Sequence, residues 1–115
     1  MAERRTFTAS IGGTEYEIPT TMRVLRMAEE ASGASLIEAV AANKMAPLLQ
    51  GVLYAGLVAL GVTTIDGADL TYELIGDLCD FSETTSNYLA FVTAMSPTVA
   101  GKSSKNARKG EPKSR

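Results

Sequence analysis

Histidine and tryptophan are missing from this chain of 115 residues, and cysteine occurs once, at Cys79. Their scarcity removes His-based acid–base catalysis, Cys/His metal sites and an internal disulfide framework. Lone carboxylates and lysines remain, but no motif organises them, so the sequence does not read as an enzyme and calls for no cofactor. Long apolar runs are scarce too. The segment Met45 to Ile65 carries no charge over 21 residues, and a bilayer span needs roughly 20 apolar ones. Pro47, Gln50, Gly51, Gly56, Gly61, Thr63 and Thr64 interrupt it and leave Val52 to Leu60 as the apolar stretch. A buried helix is therefore preferred to a membrane span. Met1 to Arg5 is followed by alternating residues instead of a signal-peptide apolar region, which makes cytoplasmic residence the default expectation.

What is present is an ordinary globular composition. The apolar share is 45%, the mean hydropathy +0.05 and the mass 12.1 kDa; this excludes a wholly disordered chain and leaves room for one core, expected over residues 1–100. The net charge of −2 conceals a division. Residues 1–100 hold five basic and twelve acidic side chains, a net of −7, whereas residues 101–115 hold Lys102, Lys105, Arg108, Lys109, Lys113 and Arg115 against Glu111, a net of +5. The basic tail has no large apolar residue to offset the entropy of ordering, so disorder is expected there. It also lacks aromatic residues to stack on bases, and the acidic body repels phosphate; nucleic acid is not an expected partner.

Along the chain, Phe7, Ala9 and Ile11 alternate with polar residues, as do Tyr16 and Ile18, and Gly12-Gly13 lies between the two runs. Period two with a glycine turn predicts an antiparallel hairpin over 5–18. Pro19 ends it, and Thr20 or Thr21 can cap a helix that places Val24, Leu25, Met27, Ala28 and Ala31 in one arc. Gly33 suits a left-handed cap, and Ser35-Leu36-Ile37-Glu38 fits a capping box for a second helix. Pro47 forces a break near Lys44 to Ala46, after which a third helix runs to about Leu60. Asp66-Gly67 centres a turn, Asp69 is read as the cap of a fourth helix reaching Cys79, and Ser82 as the cap of a fifth. The fifth should bury Tyr88, Phe91, Val92 and Met95, with Leu89 at the edge, and stop before Pro97. The expected fold is mainly α: a short N-terminal β-hairpin, a bundle of about five helices over 21–96, and the tail.

Candidate chemistry is thin. Glu29-Glu30 reads as a solvated face balanced by Arg23 and Arg26, and Asp66 with Asp69 as turn and cap residues. Asp66-Gly67 and Asp69 form a fragment of a calcium-loop pattern with no closing glutamate at the required spacing. Cys79 falls among Leu74, Ile75 and Leu78 and reads as a small buried hydrophobe. Met22, Met27, Met45 and Met95, each taken singly, read as core fillers; facing outward, they would offer adaptable contact to a partner helix.

The stretch TFTASIGGTEYEIPTTMRVLRMAEEASG, Thr6 to Gly33, resembles the start of the tail assembly chaperones of long-tailed bacteriophages, with a Gly-containing hairpin turn, a Tyr-Glu-Ile second strand and a Glu-Glu pair before glycine. The remaining helical body is compatible and less specific. The resemblance implies a protein of the host cytoplasm that coats the tape measure protein, keeps it soluble, helps recruit tail tube subunits and leaves before the virion is complete. It also implies a longer product made by minus-one ribosomal frameshifting, for which Gly101-Lys102, the sole Gly-Lys dipeptide, is the candidate junction. Two rivals are a small holin-like membrane protein using residues 45–65 and a structural tail or adaptor component. Apolar helix faces on so small a body also make a homo-oligomer an expectation.

Overall fold

In the computed structural model, which describes residues 6–95, an N-terminal hairpin precedes five helices, as the sequence predicts. Strands β1 (Thr6–Ile11) and β2 (Thr14–Pro19) pair antiparallel with Phe7 opposite Ile18 and Ala9 opposite Tyr16. The register sends Phe7, Ala9, Ile11 and Ile18 into the core, and Gly12 and Gly13 take φ angles of 61° and 87°. Both angles are positive, which matches a two-residue turn to the twist of the flanking strands.

Helix α1 (Met22–Ser32) begins at Thr21, whose hydroxyl accepts from the Val24 N–H at 3.2 Å. Helix α2 (Leu36–Ala42) begins at Ser35, whose hydroxyl accepts from the Glu38 N–H at 3.1 Å. Glu29 is not the free surface carboxylate expected: it reaches from α1 and accepts from the Leu36 N–H at 2.9 Å, satisfying another first-turn donor of α2.

Helix α3 (Ala46–Ala59) is the axis of the domain, apolar around most of its circumference, with Leu48 and Leu57 fully enclosed. Each such side chain contributes about 1.5–3 kcal/mol of burial. Helix α1 lies along α3 so closely that a Cβ on Gly51 would sit 2.6 Å from the Ala28 carbonyl oxygen. A Cβ on Gly56 would likewise run into the Ile18 side chain, so β2 rests directly on α3. At 1.5 Å per residue α3 is about 21 Å long, short of the ~30 Å hydrocarbon layer. Among the described residues no helix is long and apolar enough to cross a membrane, and residues 45–65 are divided between α3 and the strand that follows.

Two expected helix starts are displaced. Asp66-Gly67 does form the turn, but it joins two short strands, β3 (Thr64–Ile65) and β4 (Ala68–Asp69). A further bond from the Leu70 N–H to the Thr63 carbonyl extends that ribbon, so Asp69 is still in the ladder. The cap of α4 (Tyr72–Leu78) is Thr71, accepting from the Leu74 N–H at 3.0 Å. Helix α5 (Phe81–Met95) starts at Asp80 instead of Ser82: the Asp80 carboxylate accepts from the Glu83 N–H at 2.8 Å. Its buried residues are Asn87 and Phe91, while Tyr88 and Val92 are half-buried and Met95 is exposed. The buried face is thus turned toward Asn87 relative to the apolar arc.

Candidate functional site

Residues 10–13 of the hairpin meet the first half of α5 in a polar cluster. The buried Asn87 amide accepts from the Ser10 N–H and donates to the Ser10 carbonyl, both at 2.8 Å. These two Ser10 groups face away from β2, so the amide stands in for a third strand at that point. One turn earlier, Glu83 accepts from the Ser10 hydroxyl at 2.7 Å and from the Gly13 and Gly12 N–H groups at 2.8 and 3.2 Å. The Ser10 bond, then the backbone bonds from Gly13, Gly12 and the Asp80 region, hold the Glu83 carboxyl below its usual range.

The half-buried Cys79 thiol packs beside this cluster, 3.8 Å from the Ser10 carbonyl. Burial, reinforced by the charges of Glu83 and Asp80, pushes it up to about 11. At neutral pH it is a neutral thiol, which suits a packing role. On the exposed hairpin face Glu17 accepts from Thr8 at 2.5 Å and Thr6 at 2.9 Å, and these bonds lower its carboxyl. These bonds tie the turn end of the hairpin to α5 and its two strands to each other, so the arrangement fastens the hairpin.

The opposite end of the hairpin differs. Where β2 hands over to α1, a groove of about 470 Å³ opens between Phe7 and Pro19 of the strands, Met22 and Leu25 of α1, and Ala94 and Met95 at the end of α5. Val24, Val52 and Phe91 form part of its floor, and the Phe7 and Phe91 rings stack there at 5.8 Å with a 50° tilt. Thr20 and Thr21 are its polar lining, and among the described residues no charged one lines it. Met22 is 75% exposed and Met95 40% exposed, so these two are not the core fillers expected, whereas Met45 is buried and Met27 half-buried. Beyond Met22, on the outer face of α1, a second depression is bounded by Arg23, Arg26, Glu29 and Glu30. Such a concave, uncharged surface edged by flexible thioethers can accept apolar side chains from a partner helix.

The groove escapes sequence reading because its walls come from positions as far apart as Phe7 and Met95. The signal in hand was the methionine flanked by Thr21 and Arg23 at the start of α1, an apolar residue on a polar face. Asn87 was missed because it is polar within an apolar helix. The junction residues Gly101 and Lys102 and the basic tail from Lys102 to Arg115 lie outside the described residues. Comparison with protein-family models, with curated proteins and with solved structures returns no match for this chain.

Proposed function

We propose that this protein is a tail assembly chaperone of a long-tailed phage. It acts in the host cytoplasm, seats the apolar faces of tape measure helices in the groove between the hairpin exit, α1 and the end of α5, keeps that client soluble, and helps bring tail tube subunits to it. The observation that carries the reading is the uncharged groove with Met22 and Met95 exposed at its rim. Exposed apolar surface of this kind is costly to leave in water and marks a place where another apolar face is received. The likeness of Thr6 to Gly33 to such chaperones supplies the identity of the client.

Co-expression with the tape measure protein of the same phage tests it. The client should move from the pellet to the soluble fraction when this chain is present, and should return to the pellet with the M22S/M95S double variant, whose changes lie at exposed positions. Mass spectrometry of purified virions should find the chain absent. Its retention in particles at stoichiometric amount would point instead to a structural tail or adaptor component.

A further inference from the structure

The groove has a counterpart at the far end of α2. A second depression, of about 270 Å³, is lined there by Asn43, by Met45 and Leu49 at the start of α3, and by Thr84 and Tyr88 of α5. The two share a floor and a wall. Met45 and Leu49 fall at helical spacing with Val52, which floors the groove, and Thr84 and Tyr88 fall at helical spacing with Phe91 and Met95, which wall it. Helices α3 and α5 therefore run side by side in the same direction along one trough. Helix α2 lies over its middle in the opposite sense, with Leu36 lining the groove and Asn43 the second depression. On α5 the trough reaches from Thr84 to Met95, about 16 Å or three turns, against about 10 Å for α2. Helix α2 fills this seat poorly. Its buried residue is the small Ala39, while Ile37 and Val40 are 81% and 59% exposed. It is flanked by two left-handed residues, Gly33 at φ 74° and Asn43 at φ 57°, and its start is tied to α1 by the Glu29 bond to the Leu36 N–H.

We infer that α2 is a displaceable stand-in for the client, and that an amphipathic client helix of three turns or more lifts it and occupies the whole trough between α3 and α5. This rests on the reading of the groove as a client site and adds the regulation of that site. The seated α2 shows the kind of ligand the trough accepts, a short helix with an aliphatic inner face. A client that presents leucine where α2 presents Ala39 buries more apolar surface against Leu49 and Val52. With no client bound, α2 keeps Leu49 and Val52, each 3% exposed, out of water. Closure lowers the apparent affinity by the fraction of chains that are open, which favours clients long enough to fill both depressions.

Fluorescence anisotropy and hydrogen exchange with the full chain test it. The probe is a labelled peptide of about 18 residues with a leucine stripe at helical spacing and glutamine on the polar face. When the peptide binds, the amides of Ala39 to Ala42 should exchange faster while those of α3 and α5 slow. A39Q keeps a good helix former but puts an amide where a methyl group is buried, so it should unseat α2 and tighten peptide binding at least about fivefold. E29A removes the tie to Leu36 from outside the groove and should tighten binding in the same direction. Should thermal melting show A39Q unfolded, wild-type exchange and E29A decide. The M22S/M95S variant should weaken the peptide in each background. Binding that leaves α2 exchange unchanged or slower, with no gain from A39Q or E29A, overturns displacement while leaving the groove as a helix site. Failure of the peptide to bind, or binding indifferent to M22S/M95S, overturns the groove reading with it.

Discussion

The Asn87 side chain occupies a position that a hydrophobic residue could fill by volume, yet only an amide offers a donor and an acceptor side by side to a strand. Replacing it by alanine strands the Ser10 N–H and carbonyl and should lower stability by about 2–4 kcal/mol in urea unfolding. N87D should also destabilise at neutral pH, because a carboxylate accepts from the N–H but cannot donate to the carbonyl, and the deficit should narrow as pH falls. At Glu83 the ionised carboxylate is instead the form that stabilises. Its carboxyl is held below 4.5 when folded, by Ser10 first and then the turn backbone. The stabilisation is therefore present above the unfolded value and disappears as pH drops through the folded one. The stability difference between wild type and E83Q should be constant from pH 6 to 8 and should shrink below about pH 4.5. Both residues lie on a helix whose sequence reads as apolar on one side and polar on the other. Their roles depend on a strand more than seventy positions away, and no local pattern reports that.

At the level of elements, the parts that were legible are those specified by neighbours in sequence. Strand alternation at Phe7 to Ile11, the glycine turn, the caps at Thr21 and Ser35, and the break before Pro47 all arise from bonds and steric limits within a few residues. The displaced starts of α4 and α5 had several capping residues in a row, Asp69 with Thr71 and Asp80 with Ser82, and tertiary context chose between them. For α4 the extra Leu70–Thr63 bond prolonged the ribbon; for α5 the Asp80 carboxylate took the Glu83 N–H. The approach of α1 to α3 was invisible beforehand, since a glycine in an apolar helix reads only as a weak helix former. G51A tests its importance: the added methyl group meets the Ala28 backbone, which cannot swing aside as a side chain would. Despite the better intrinsic propensity of alanine, it should destabilise by about 1–3 kcal/mol, with a lowered melting temperature. The groove was not legible for the same reason as the α1–α3 contact, since it exists only once both ends of the domain converge on α3.

For the molecule as a whole, the two ends of the hairpin are built differently. The turn end is fastened by Glu83 and Asn87, and the open end carries the groove. The proposed chaperone role makes a further prediction for the coding DNA. Gly101-Lys102 should be written as a G GGA AAN heptamer opening into a long minus-one frame, and mass spectrometry of infected cells should find a minor product that shares residues 1 to about 101. A Gly101 codon that cannot slip would restrict the reading to chaperones made as a single product. The bonds from Ser10 to Asn87 join residues 77 positions apart. At roughly 5–20 residues per second, the ribosome needs about 4–15 s to cover that distance. The strand that carries Ser10 thus waits through that interval for the amide that secures it, and a nascent chain stalled before α5 holds an unfastened edge open to other strands.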